Sequence, residues 1–244
     1  MKAFAVLLAL VALWGAVPAC GGEASAGVAH ESATAERAPG GGSVADPDGE
    51  GAEPSGPTIA ILGDSLTAGY GLDHPEYAYP ALIEERLRAE GRPGRVINAG
   101  ISYDTTETGL SRLGWTLRQH VDVLVVALGG NDGLRGIGTE EMEANLRQIV
   151  AEAREQEPPP AIVLAGMLAV PNMGATYADA YREVFPRVAH DLDLSLIPFL
   201  LEGVGGVPEL NQGDGLHPNR DGQVVVAENV WAVLRPLLED LPES

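Results

Sequence analysis

The sequence predicts an α/β fold in which a parallel sheet carries helices on both faces. Short apolar runs rich in β-branched residues alternate with longer segments that have apolar residues at helical spacing. This alternation is typical of parallel strands joined by helical crossovers. Glycine-rich and polar motifs follow several of the runs, and in parallel sheets the chemistry gathers at the carboxyl ends of the strands.

The predicted strands and helices follow one another along the last three-quarters of the chain. In chain order we predict strand 58–62, helix 79–90, strand 95–98, helix 106–120, strand 121–128, helix 139–157, strand 161–165, helix 177–191, strand 194–197 and helix 219–238. The first strand ends at Gly63, and the strongest strand reads Val-Asp-Val-Leu-Val-Val-Ala-Leu. Gly91 ends the first long helix, because glycine favours helix termini.

Particular residues predict where the later helices begin and end and which of their side chains are buried. Thr139 is a plausible N-cap of helix 139–157, and three consecutive prolines at 158–160 end that helix. Trp115 and Trp231 lie on predicted helix faces, so we expect both side chains in the core.

The amino-terminal segment has the pattern of an export signal. Lys2 precedes an apolar run over residues 3–17, and small residues lead to Cys20, the only cysteine. The sequence Val-Pro-Ala-Cys resembles a bacterial lipobox, which predicts a lipid on Cys20 and a location on the periplasmic side of the cell envelope. The alternative is an ordinary secretory signal with an incidental cysteine.

Three regions follow from this pattern and from composition. Residues 1–20 are predicted to be a lipoprotein-type signal peptide, and residues 58–244 a hydrolase domain. Residues 21–57 are rich in Gly, Ala, Glu, Ser and Pro with few large apolar residues, which predicts a disordered acidic linker.

Charge and composition exclude several classes of function. The formal net charge of −20 over 244 residues disfavours binding to nucleic acid. Lys2 is the only lysine, so no lysine remains in a processed chain for a Ser–Lys dyad or a Schiff base. No histidine forms a ligand cluster with another, so we expect no metal.

Three motifs follow the first, third and fifth predicted strands and should therefore meet on one rim of the sheet. They are Gly-Asp-Ser-Leu at 63–66, Gly-Gly-Asn-Asp at 129–132 and Asp-Gly-Leu-His at 214–217. Each alone has a plain structural interpretation, as a helix cap, a turn or a surface pair. The placement of all three motifs on one rim indicates a functional site much more specifically than any one motif does.

Together these motifs supply the groups of a serine hydrolase. A serine hydroxyl is a weak nucleophile that needs a base, and the base needs an orienting partner. Ser65 is the candidate nucleophile, His217 the base and Asp214 its partner. The Asn131 side-chain amide and the Ser65 backbone N–H are candidate donors to the oxyanion.

With these motifs the chain resembles the GDSL, or SGNH, hydrolases, and within them the bacterial periplasmic thioesterase/lysophospholipase and arylesterase branch. The segments that carry the resemblance are 61–70, 98–105, 128–136 and 214–219. The resemblance implies a three-layer α/β/α sandwich with a five-stranded parallel sheet, a flavodoxin-like arrangement. It also implies that Ser65 is the nucleophile, Asn131 an oxyanion donor, His217 the base and Asp214 its partner.

The function implied is hydrolysis of carboxylic esters or thioesters through an acyl-enzyme, without a cofactor. A small-molecule or lipid ester is the expected substrate, and a monomer the expected form. One alternative is a carbohydrate O-acetylesterase of the same fold. Another is an envelope lipoprotein that keeps the fold as a binding module, although the presence of all four motif residues argues against it.

One position departs from the family pattern. The second segment usually has glycine directly before its Asp-Thr pair, where a backbone N–H serves the oxyanion hole, and here that residue is Tyr103. The N–H survives the change, so Tyr103 can keep the role. Its side chain is expected to narrow the acyl pocket or to force a less easy backbone conformation.

Overall fold

Five parallel strands form the sheet at the centre of the computed structural model, which describes residues 56–169 and 173–241. The strands are β1 (Thr58–Gly63), β2 (Arg95–Gly100), β3 (Val123–Ala127), β4 (Ala161–Ala165) and β5 (Ser195–Ile197). Their spatial order is β2-β1-β3-β4-β5, and every neighbouring pair is parallel. The predicted five-stranded parallel sheet is therefore confirmed.

Helices cover the sheet on both sides. They are α1 (Ser65–Ala68), α2 (Tyr79–Ala89), α3 (Thr106–Ser111), α4 (Leu113–Thr116), α5 (Gly130–Arg135), α6 (Thr139–Ala153), α7 (Ala175–Leu192) and α8 (Arg220–Asp240), with short 3₁₀ turns at Pro75–Tyr77 and Pro208–Leu210. Helix α2 packs against α8, and α6 packs against both α3 and α7. Every residue of β3 is buried, as expected of a strand covered on both faces.

Four expectations about the helices were wrong. The predicted helix 106–120 is two short helices, α3 and α4, with Arg112 between them. The break changes the direction in which the following side chains point, and Trp115 is 63% exposed instead of buried. Gly138 occupies the N-cap of α6, so Thr139 is already inside the helix. Helix α6 ends at Ala153, before it reaches the three prolines at 158–160, so the prolines do not end it directly.

Trp231 is buried in α8 as predicted. The segment after β3, which the sequence suggests as a turn, forms the short helix α5. No helix in residues 56–169 and 173–241 is long and apolar enough to cross a bilayer. The predicted signal peptide, Cys20 and almost all of the predicted linker lie outside the described residues.

The parallel topology places four polar segments at the carboxyl edge of the sheet. Strand β1 leads directly into α1, β3 leads into α5, and β2 leads into a turn at residues 101–104. The segment between β5 and α8 carries the fourth. The sheet therefore brings together motifs that are up to about 150 residues apart in sequence.

Candidate active site

Ser65 is the first residue of α1, directly beyond the end of β1. The Asp64 side chain caps this helix by accepting a hydrogen bond from the Leu66 backbone N–H at 3.0 Å. The tight strand-to-helix turn fixes the Ser65 backbone at the edge of the sheet. Its side chain lines a cleft.

The hydroxyl of Ser65, the imidazole of His217 and the carboxylate of Asp214 lie in one hydrogen-bonded row. Ser65 Oγ is 2.9 Å from His217 Nε2, and His217 Nδ1 is 2.6 Å from Asp214 Oδ2. With the proton on Nδ1 donated to the carboxylate, Nε2 is free to accept the serine proton. The structure thus brings together the three side chains that the sequence singles out.

Asp214 remains ionised well below neutral pH. Its Oδ1 accepts hydrogen bonds from the backbone N–H groups of Leu216 at 2.9 Å and His217 at 3.0 Å. These two bonds, together with the bond from the imidazole, lower the pKa of Asp214 to about 2. The carboxylate is therefore available to orient the ring across the whole neutral range.

Two residues that the sequence analysis does not single out hold the His217 segment in place. The Gln212 N–H donates to the His217 carbonyl at 2.8 Å, and the Gln212 side-chain amide donates to the carbonyls of Tyr70 at 2.7 Å and Pro218 at 3.1 Å. The Tyr70 ring lies against the imidazole, with ring centroids 4.7 Å apart. Bonds from an amide to backbone carbonyls leave no pattern in the sequence.

Asn131 faces the same site from α5. Its side chain is 9% exposed. The Nδ2 atom donates to the Asp104 carbonyl at 2.9 Å and makes a longer contact of 3.3 Å with Asp64 Oδ2. The amide is therefore held near the serine, with one of its two hydrogens only weakly engaged.

Tyr103 lies in a turn that favours glycine. The Asp104 N–H donates to the Ile101 carbonyl at 3.2 Å, which closes a turn with Tyr103 at its third position and a φ of 73°. A positive φ at this position is typical of type II turns, where glycine is usual. The expectation of a less easy backbone conformation is confirmed. No hydrogen bond found in the described part of the chain uses the Tyr103 N–H.

A cleft of about 320 Å³ opens beside Ser65, and most of its wall is apolar. The apolar side chains that line it are Leu66, Tyr70, Tyr103, Leu134, Met167, Leu168, Phe199, Leu201 and Leu216. Several of them are substantially exposed at the cleft mouth, including Tyr103 at 68%. A cleft of this character suits an aliphatic or aromatic group next to a reacting carbonyl.

Asp64 is the least solvated ionisable group of the site. It is 2% exposed. Burial raises its pKa to about 6, although the hydrogen bond from the Leu66 N–H and the nearby His217 oppose that rise. The pKa of this carboxyl group, next to the nucleophile, thus lies well above the usual range for aspartate.

Comparison with known proteins identifies the family. Residues 61–225 match the GDSL-like lipase/acylhydrolase family. The chain belongs to this family. The matched residues include Ser65, Tyr103, Asn131, Asp214 and His217.

Similar GDSL-family proteins span most of this chain. Esterase TesA of Pseudomonas aeruginosa is 42% identical over 182 residues, which cover 74% of this chain and 89% of that protein. Thioesterase 1/protease 1/lysophospholipase L1 of Escherichia coli K12 is 40% identical over 182 residues, which cover 74% of this chain and 85% of that protein. A crystal structure of TesA superposes with a TM-score of 0.70 at 41% identity and covers 74% of this chain and 99% of that chain.

Membership of the GDSL family confirms the predicted fold and the predicted class of reaction. The chain is a hydrolase of carboxylic esters.

Proposed function

We propose that Ser65, His217 and Asp214 are the catalytic triad of this esterase and that it works through an acyl-enzyme. One observation carries the proposal, the unbroken row from the Ser65 hydroxyl through the imidazole to the Asp214 carboxylate, with contacts of 2.9 and 2.6 Å. Contacts of this length allow proton transfer without rearrangement of the side chains.

In the first half of the reaction, Ser65 Oγ attacks the acyl carbon while its proton passes to His217 Nε2. The ionised Asp214 stabilises the imidazolium that forms. His217 then gives the proton to the leaving alcohol or thiol, and the ester bond breaks. In the second half, water attacks the acyl carbon of the acyl-enzyme and gives a proton to His217. His217 then passes this proton to Ser65 Oγ as the bond to the acyl group breaks and the carboxylic acid leaves.

The negative oxygen of each tetrahedral intermediate requires donors that are already in place. We assign this role to the Asn131 side-chain amide and to the backbone N–H groups of Ser65 and Tyr103. The buried position of Asn131 and the unused N–H of Tyr103 support the assignment. Loss of one such donor typically slows an acyl transfer by about 10²–10³-fold.

We propose esters and thioesters with an aliphatic acyl chain as the substrates. The apolar wall of the 320 Å³ cleft supports this choice, as do the words esterase, thioesterase and lysophospholipase in the names of the relatives. An acetyl group would leave most of the apolar wall uncovered, so a carbohydrate O-acetylesterase fits less well.

Hydrolysis of a graded ester series tests the proposal. We expect wild type to cleave aryl esters from acetyl to palmitoyl with kcat/KM rising beyond acetyl, and to cleave a lysophospholipid and an acyl-CoA. Ser65→Ala should abolish all of these activities, whereas Ser111→Ala, on the exposed end of α3, should keep them. A fluorophosphonate probe should add one phosphonyl group to wild type and none to Ser65→Ala, as read by intact mass. Full activity of Ser65→Ala would end the proposal, and cleavage restricted to acetyl esters would favour the O-acetylesterase.

Tyr103 is proposed to limit the range of acyl chains that this cleft accepts. Its ring lines the cleft, at the position where the resemblance to the family implies glycine. Tyr103→Gly should therefore broaden the profile of kcat/KM against chain length, with Trp115→Gly, which removes an exposed ring that does not line the cleft, as the control. An identical profile for wild type and Tyr103→Gly would refute this role.

For the amino terminus we propose export by residues 1–20, lipid attachment at Cys20 and a flexible tether over residues 21–57. The sequence pattern alone supports this part. Metabolic labelling with an alkyne-tagged fatty acid should label the wild-type chain and not Cys20→Ala, and the wild type alone should sediment with membranes. Equal labelling of both chains would refute it.

We propose a monomer because one chain supplies every assigned group, and light scattering on the purified domain would test that form.

A further inference from the structure

Tyr103 holds a backbone conformation that a side chain with a Cβ atom disfavours. Its φ of 73° lies in the left-handed region, which glycine enters freely and other residues rarely occupy. A residue stays in such a conformation only when surrounding contacts impose it. Two arginines bond to the turn that contains Tyr103.

The first arginine is Arg135, the last residue of α5. Its Nη2 donates to the Tyr103 carbonyl at 2.8 Å. The same helix carries Asn131, whose amide donates to the carbonyl of Asp104 at 2.9 Å. Helix α5 therefore binds two successive carbonyls of the turn and restricts rotation of the peptide groups on either side of Asp104.

The second arginine is Arg112, which lies between α3 and α4. Its Nε donates to Asp104 Oδ2 at 2.5 Å, and its Nη2 donates to the Gly63 carbonyl at 2.9 Å. The Arg112 side chain is 15% exposed, so this ion pair is largely shielded from water. Gly63 is the last residue of β1 and lies two residues before Ser65. Arg112 thus joins the Tyr103 turn to the strand that carries the nucleophile.

We propose that Arg135 and Arg112 are positioning residues that hold the Tyr103 turn in its left-handed conformation, with its N–H directed at the oxyanion. The inference rests on the proposed function, because it gives a role to a donor of the oxyanion hole. Neither arginine contacts the reacting atoms. A chain with glycine at position 103 adopts the same turn more readily, so its dependence on the two arginines is smaller.

A double-mutant cycle tests this dependence. Arg135→Met and Arg112→Met are each made in wild type and in Tyr103→Gly. In wild type we expect kcat to fall by about tenfold or more with KM little changed, because a misdirected donor weakens the transition state more than the bound substrate. In Tyr103→Gly each arginine replacement should lower kcat by less than about threefold. A smaller loss in this background than in wild type would show that the arginine and Tyr103 are coupled.

Controls separate positioning from loss of structure. Arg147→Met removes an arginine that pairs with Glu143 and Asp191 on the surface of α6, and it should leave kcat unchanged in both backgrounds. Arg135→Lys keeps a donor and should recover much of the lost kcat. Melting temperatures of all variants show whether they are folded, and if Arg112→Met does not fold, the Arg135 cycle alone decides.

Two outcomes would overturn the inference. One is an equal loss of kcat in wild type and in Tyr103→Gly, and the other is a loss confined to KM. The Ser65→Ala variant keeps this failure distinct from failure of the proposed function. An inactive Ser65→Ala with an additive cycle removes only the positioning role, whereas an active Ser65→Ala removes the catalytic assignment itself.

Discussion

Replacing Asp64 with asparagine should change how the stability of this esterase depends on pH. Burial raises the pKa of Asp64 from 3.8 to about 6, so the folded chain binds the proton more tightly than the unfolded chain. A rise of about 2 pKa units corresponds to about 3 kcal/mol. The free energy of unfolding therefore falls as the pH rises from about 4 to about 6. Above about pH 6 the buried carboxylate lowers the free energy of unfolding by the full amount of about 3 kcal/mol.

The asparagine variant lacks this titration, so the difference between the two proteins isolates it. The Asp64 carboxylate accepts from the Leu66 N–H and lies near the Asn131 amide. Asparagine can satisfy only one of these donors, a loss of about 1 kcal/mol. At pH 7.5 Asp64→Asn should then be more stable than wild type by about 2 kcal/mol, and at pH 4 less stable by about 1 kcal/mol.

Urea unfolding of wild type and Asp64→Asn at pH 4, 5, 6 and 7.5 measures this difference. Titrating groups that do not interact with Asp64 are common to both proteins and cancel, whereas His217, Asp104 and Asp132 interact with it. Asp179→Asn, which removes one carboxylate from the exposed side of α7, is the matched control for a change of net charge. A difference in unfolding free energy that is the same at every pH would refute the reasoning, because it would mean that burial of Asp64 carries no cost.

The same variant should be slower in catalysis although it is more stable at neutral pH. An asparagine NH₂ group facing the Asn131 NH₂ group would turn one of the two amides away, and Asn131 is an assigned oxyanion donor. We expect kcat to fall by about tenfold, part of the 10²–10³-fold that complete loss of a donor costs. The chain would then keep a destabilising buried carboxyl group because it orients the donor.

Four further predictions concern single side chains. Asp214→Asn should lower kcat by about 10⁴-fold, because an amide facing His217 Nδ1 favours the tautomer that cannot accept the serine proton; steady-state kinetics at pH 8 would measure it, and near-wild-type activity would contradict the triad. Since the pKa of Asp214 is about 2, Asp214 should stay ionised while activity falls at acid pH, and a rate maximum at pH 4 would be incompatible with His217 as the base. Tyr103→Gly should raise the free energy of unfolding by about 0.5 kcal/mol, because relief of backbone strain slightly exceeds the entropy cost of glycine, and a clear loss of stability in urea would argue against strain. Glu143→Gln should lower stability at neutral pH by about 1 kcal/mol, because Arg187 and Arg147 hold the pKa of Glu143 below its usual range; the loss should shrink in strongly acid solution, and a pH-independent loss would be inconsistent with these ion pairs.

The contrast between β3 and the α3–α4 segment shows which parts of the fold the sequence predicts well. Strand β3 is a continuous apolar run, and a run of that kind is buried in a parallel sheet whatever surrounds it. The helical pattern at 106–120 is equally regular, yet the chain breaks at Arg112. The break accompanies the bonds of this side chain to Asp104 and Gly63, which are tertiary contacts. The exposed Trp115 follows from the same break.

The sequence by itself determined the strands, the motifs after three of them and, through the parallel topology, the meeting of Ser65, Asn131, Asp214 and His217 on one rim. Local patterns carry this information because strand ends in a parallel sheet share an edge. Only the tertiary structure decided the raised pKa of Asp64, the hold of Gln212 on the His217 segment and the two arginines at the Tyr103 turn. These depend on burial and on bonds to backbone carbonyls of distant segments, and neither leaves a pattern of residue types along the chain.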